Sequence, residues 1–139
     1  MFIIKTDKEN TKEYKESVNL DSIRNAFKEW NEKGVIFVFN QKIYTRYPLS
    51  QHLLVHEETH IKQQGNLLGS IKWVIMYMLS ASFRLRQELE AYRAQYKYIF
   101  KHSNRNEANT LLLRISKDLS SEMYGDIISF EEAKKLIGQ

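Results

Sequence analysis

The chain has 139 residues, with 21 Lys and Arg against 17 Asp and Glu for a net charge of +4, 42% hydrophobic residues, one Pro and no Cys. The missing cysteine excludes a disulfide framework, a cysteine-type zinc finger, a thiol nucleophile and an iron-sulfur cluster, leaving His, Asp and Glu as the strong metal ligands. The charges are well mixed, without the long basic block of a nucleic-acid binder, and a chain this size buries roughly 68% of its unfolded surface, so a metal site here is expected to be functional rather than structural.

At the N-terminus, Phe2-Ile3-Ile4 is followed at once by Lys5 and a polar run. That pattern lacks the apolar region of a secretory signal, so a cytoplasmic location is expected, and the three apolar residues are a candidate strand. Residues 6 to 18 are polar and read as a loose arm. Asp21 can cap a helix carrying Ile23, Phe27 and Trp30 on one face, with Gly34 as its stop. The period then changes: Val35 to Phe39, a polar turn at Asn40-Gln41-Lys42, and Ile43 to Arg46 predict a hairpin.

Tyr47-Pro48-Leu49 breaks the strand pattern, and Ser50 is placed to cap a helix running through Gln64 to a stop at Gly65. A second helix is expected from about Ser70. Its apolar run, Trp73 to Phe83, reaches about half the roughly 20 residues of a membrane span, so it reads first as a buried core helix and second as a membrane-surface or oligomer contact, and no span is expected. A bend at Ser80-Ala81-Ser82 separates it from a third helix over about Phe83 to His102. Asn106 to Leu119 reads as helix, and Ser129-Phe130-Glu131-Glu132 is a capping box opening a last helix to Ile137. The fold class predicted is α+β: one domain over residues 1–139, mostly helical, with a small antiparallel sheet packed on the helix that begins after Ser50.

That helix contains His56-Glu57-Glu58-Thr59-His60, an HExxH motif. Histidines at i and i+4 share one helical face about 5–6 Å apart, so their ring nitrogens can converge on one ion, half of a tetrahedral zinc site. Glu57 sits about 100° round the helix, where its carboxylate can take a proton from water on the metal rather than bind the metal. The wheel groups His56, Glu57 and His60 with Leu53, Leu54, Ile61 and Gln64, so the ligand face is also the inward face.

A zinc site of this kind needs a third protein ligand, for which Arg86-Gln87-Glu88-Leu89-Glu90-Ala91-Tyr92 offers Glu88 and Glu90. Here the chain resembles the gluzincin zinc metallopeptidases, in which HExxH is followed by a glutamate ligand on a later helix, often as E-x-x-A/S-D; the resemblance covers about residues 35 to 95. In pattern it is similar to small single-domain peptidases of the phage and mobile-element kind. The resemblance implies a zincin-like fold, a Zn2+ cofactor held by His56, His60 and Glu88, and amide hydrolysis of a peptide or protein with Glu57 as general base. Glu88 and Ala91 match the first and fourth positions of the pattern. Tyr92 stands where the family has Asp, which leaves the usual orienting partner of a ligand histidine unassigned.

The wheel favours Glu88 independently. Glu88 shares its side with Leu85, Tyr92, Gln95 and Ile99, whereas Glu90 falls among Arg86, Arg93, Lys97 and Lys101. A carboxylate on an apolar face costs several kcal/mol unless paired or metal-bound, and Glu90 already has cations in reach. Tyr77, Tyr92, Tyr124, His52 and His102 have the chemistry to stabilise an oxyanion, but each reads first as an ordinary core or surface residue, as do Trp73, Tyr77 and Phe83 as core. Besides the peptidase, two readings stand: a metal-binding but inactive homologue acting as inhibitor or adaptor, and a basic nucleic-acid-binding helical protein, for which charge is the sole support.

Overall fold

The computed structural model describes residues 2–6, 12–16, 36–45 and 48–139. Strands β1 (Phe2–Thr6), β2 (Lys12–Glu16), β3 (Phe37–Phe39) and β4 (Lys42–Thr45) form an antiparallel sheet in the order β2-β1-β4-β3. Asn40 and Gln41 both take positive φ, 49° and 62°, as a two-residue hairpin turn between right-twisted strands demands. Phe37 stacks on its cross-strand partner Tyr44 with ring centroids 4.9 Å apart, while Val38 and Ile43 turn to the interior. The expected third strand is β1, which pairs with β4, and β2 falls inside the stretch 6–18 that the sequence marks as an arm. The helix expected after Asp21 lies outside the described residues.

Five helices follow among the described residues: α1 (Gln51–Gln64), α2 (Leu67–Leu79), α3 (Ala81–His102), α4 (Arg105–Leu119) and α5 (Phe130–Gly138), with a short 3-10 turn, Glu122–Tyr124, before α5. The architecture is mostly helical with a small antiparallel sheet. Ser50 is the N-cap of α1, though its hydroxyl makes no cap bond, and Gly65 at φ 69° ends the helix. The α2 start falls earlier than expected, at Leu67, because Asn66 caps it by accepting from Gly69 N. Ser80 both ends α2 and caps α3. Arg84 fastens this break, donating Nη1 to Tyr77 O at 2.8 Å and Met78 O at 3.2 Å, carbonyls that the end of α2 leaves without helical partners. The Ser129 capping box of α5 is present in both directions.

The core has three parts that meet around α1 and α3. Val38, Ile43, Leu49 and Leu54 seal the hairpin onto α1. Trp73, Val74 and Tyr77 pack with Phe39 and Phe83. Leu85 of α3 joins Leu111, Leu112, Ile115, Leu119, Ala133 and Ile137 of α4 and α5. Gln64, 3% exposed, ties the first of these together by donating Nε2 to Val38 O at 2.7 Å.

One expectation needs correction. The Trp73–Phe83 run is not a buried core helix: α2 buries Ser70, Trp73, Val74 and Tyr77, while Leu68 is 75% and Leu79 81% exposed and Ile71, Ile75, Met76 and Met78 are also open. The helix is apolar nearly all round, so composition does not reveal that only one side is covered. Among the described residues no helix is long and apolar enough to cross a membrane.

Candidate metal centre

His56, Glu57 and His60 project from the buried face of α1 towards Glu88 on α3, and all four are 5–7% exposed. His56, His60 and Glu88 each offer a ligand atom within 4.8 Å of the others. The histidine Nε2 atoms are 3.2 Å apart, Glu88 Oε2 is 3.1 Å from His56 Nε2, and Oε1 is 3.3 Å from His60 Nε2.

The other ring nitrogens decide what this arrangement can hold. His56 Nδ1 faces Gln95 Oε1 at 3.0 Å, and His60 Nδ1 faces Gln63 Oε1 at 2.8 Å. An amide oxygen only accepts, so each Nδ1 carries the hydrogen and each neutral ring presents a bare Nε2. Two bare nitrogens and a carboxylate then point at one another, an arrangement that repels unless a cation stands between them. The donor set, two imidazoles and one carboxylate with room for a further ligand, suits Zn2+.

Without a metal, a proton takes that place. Burial by itself would lower the His60 pKa, but the Glu88 carboxylate, reinforced by Glu57 and Gln63, lifts it to about 9. Burial would likewise raise Glu88, yet His60 and His56 hold it well below the usual carboxylate range. Glu57 moves the opposite way. Its burial raises the pKa, His56 and His60 pull against that, and the negative Glu88 adds to it. Two carboxyls in one pocket are thereby driven apart, Glu88 held ionised and Glu57 made the more ready of the two to accept a proton.

Aromatic rings wall the site. Tyr92 sets its edge against His56 at 4.6 Å and Trp73 lies 5.3 Å from His60. Tyr77 donates its hydroxyl to Glu88 Oε1 at 2.7 Å, so each of the three candidate ligands has a partner behind it. A cleft of about 1090 Å³ opens over His56, Glu57, His60 and Glu88, with strand β3 along one side and Tyr92, Tyr124 and Arg114 on the other.

The sequence-derived set His56, Glu57, His60 and Glu88 is therefore brought to one place. Glu90 is exposed in a groove it shares with Arg86, Arg93 and Lys97, as the wheel expects, and it also accepts from Gln63 Nε2 at 3.0 Å. Of the five residues weighed for oxyanion chemistry, Tyr77, Tyr92 and Tyr124 border the cleft; His52 reaches the site through Gln95, and His102 lies apart, stacked on Tyr98 at 4.1 Å. From sequence, Gln63 reads only as the H-x-x-Q extension of the motif, and Gln95 and Tyr77 are left without a role, although Gln95 sits on the same helical face as Glu88 and a buried Gln there signals a polar partner. No family model, curated protein or solved structure matches the chain.

Proposed function

We propose that the chain is a zinc-dependent peptidase of the gluzincin kind, acting on a peptide or protein. The observation that carries this reading is the convergence of His56 Nε2, His60 Nε2 and the Glu88 carboxylate, with the buried carboxyl of Glu57 beside them in an open cleft. The hairpin packed on the HExxH helix and the Glu88 carboxylate on a later helix support a zincin-like reading of the packing. Zinc held by His56, His60 and Glu88 supplies a Lewis acid that polarises a carbonyl and acidifies water.

The rest of the chemistry belongs to the chain. Glu57 takes the proton of the attacking water and delivers it to the departing amine, and its raised pKa suits both directions of transfer. Tyr77 keeps Glu88 in place as a ligand. Strand β3 is the sheet edge and borders the cleft, so an extended peptide can lie beside it as an added strand, held by main-chain hydrogen bonds. Phe37, Phe39, Trp73 and Met78 give the cleft an apolar lining that suits the side chains of such a peptide.

Two measurements test the reading. The purified protein is expected to hold about one zinc per chain, lost in His56→Ala and His60→Ala. Glu57→Gln, nearly isosteric, is expected to keep the zinc and lower hydrolysis in a peptide-library screen by at least about a hundredfold. Folded wild-type protein that takes up no zinc at neutral pH would remove the basis of the proposal, and a Gln variant cleaving at the wild-type rate would remove Glu57 as the base.

A further inference from the structure

Both candidate histidine ligands rest on a glutamine, and both glutamines are held the same way round. Gln95, 1% exposed, presents Oε1 to His56 Nδ1 and donates Nε2 to His52 Nδ1 at 2.8 Å. Gln63 presents Oε1 to His60 Nδ1 and donates Nε2 to Gln87 O and Glu90 Oε2, each at 3.0 Å. An amide is two-faced, so an unanchored glutamine could equally turn its NH2 group to the imidazole and select the wrong tautomer. Here the acceptors on the far side take the NH2 group, and the oxygen is left facing the ring.

We infer that Gln95 and Gln63 are the positioning residues of the metal centre, a pair of one-way amides that fix His56 and His60 as Nδ1–H tautomers with Nε2 turned to the metal. The inference rests on the metal-binding part of the peptidase reading and goes beyond it by naming what orients the ligands. It also accounts for Tyr92, which stands where the family pattern has an aspartate. Gln95, one turn further along α3, faces His56 Nδ1, while Tyr92 packs its ring against His56.

The choice of a neutral amide has a physical reason. Glu57 and Glu88 already place two carboxyls in the buried pocket. A carboxylate behind each histidine would add two more negative groups to a site of low dielectric. An amide oxygen accepts the same hydrogen bond without that charge. Behind Glu88 the partner is again neutral, the Tyr77 hydroxyl.

The test separates hydrogen bonding from packing. Gln95→Leu and Gln63→Leu keep about the same volume and lose the acceptor; Gln95→Glu and Gln63→Glu keep an acceptor. In a competition titration against a chelator, the Leu variants are expected to bind zinc about 10–100-fold more weakly than wild type, and the Glu variants to recover most of that loss. In proton–nitrogen NMR of the zinc-loaded protein, the slowly exchanging Nδ1–H signal of His56 should be present in wild type and lost in Gln95→Leu. Gln63 is only half-buried on the surface of α1, so its variants carry the test should Gln95→Leu fail to fold. Leu variants with wild-type affinity, or Glu variants as weak as Leu, would overturn the positioning role. A wild-type chain that binds no zinc would instead overturn the peptidase reading beneath it.

Discussion

Tyr77 and Glu88 belong to different helices, yet the Tyr77 hydroxyl donates to Glu88 Oε1 at 2.7 Å across the break at Ser80. Arg84, bound to the Tyr77 and Met78 carbonyls, holds the two helix ends in the relation that makes this contact possible. A buried carboxylate gains more from such a donor than a neutral acceptor does, about 1.5–3 kcal/mol. Tyr77→Phe keeps the ring stacked on Trp73, 4.8 Å away, and removes the hydroxyl, which also meets Tyr124. The expected result is a zinc affinity about tenfold lower with the apo fold retained, read by chelator competition beside circular dichroism. An unchanged affinity would mean that Glu88 is held by the histidines alone.

Glu88 and Glu90 lie two positions apart and differ in their surroundings. Glu88 is 7% exposed between His56 and His60, whereas Glu90 is exposed and touches the centre only through Gln63. Glu88→Ala is expected to weaken zinc binding by orders of magnitude, and Glu90→Ala to leave it within about threefold, since one anchor of the Gln63 amide, Gln87 O, remains. The reverse order in the same titration would exclude Glu88 as the third ligand.

How far the site can be read from the sequence depends on the range of the interaction. The HExxH helix, its stop at Gly65 and the choice of Glu88 over Glu90 follow from caps and helical period, which are local. The Gln95 contact to His56 spans 39 residues and exists only because α1 packs on α3 at one register, which no spacing encodes. The α2 face was illegible for a different reason: a helix of Leu, Ile, Met, Val and Trp carries no polar side to mark its outside, so its exposed half emerges only from the fold. Glu90 shows the same limit on a small scale, since the wheel puts Arg86 and Arg93 beside it and cannot see Gln63 arriving from α1.

In the metal-free protein the site itself sets a pH dependence. His60 has a folded pKa of about 9, above its ordinary 6.5, so the folded state binds more protons than the unfolded chain between those values. Its contribution to stability is complete below about pH 6.5 and disappears as pH rises through about 9. Glu88 acts in the opposite sense, contributing above the ordinary carboxylate range and losing that contribution as pH falls towards its depressed folded value. Chelated protein should therefore melt highest at about pH 5–6 and lose stability towards about pH 10. Zinc bound at this site would replace the His60 proton, so its affinity is expected to climb across the same interval. His60→Gln is expected to flatten the alkaline limb of the melting curve; a limb that survives the substitution would assign it elsewhere.

The junction between α1 and α2 gives a prediction independent of any metal. Gly69 lies in the first turn of α2, where its amide donates to the Asn66 cap at 2.8 Å. Alanine is ordinarily favoured over glycine inside a helix by about 1 kcal/mol, so Gly69→Ala ought to stabilise if propensity decided the matter. A Cβ at this position would come 2.0 Å from the backbone oxygen of Gln64, closer than any real contact, and 3.3 Å from the Asn66 side chain. The obstacle is backbone at the end of α1, which cannot rotate aside as a side chain can. Relief requires moving Gln64, and the Gln64 side chain holds Val38 of the edge strand. Overpacking of this kind costs about 1–3 kcal/mol, enough to outweigh the propensity gain. Gly69→Ala is thus expected to lower the thermal midpoint of the apo protein. Gly138→Ala, where nothing lies within 4 Å, should leave it unchanged or slightly raised. A Gly69→Ala variant at least as stable as wild type would show that α1 and α2 can separate at Gly65 without loosening β3.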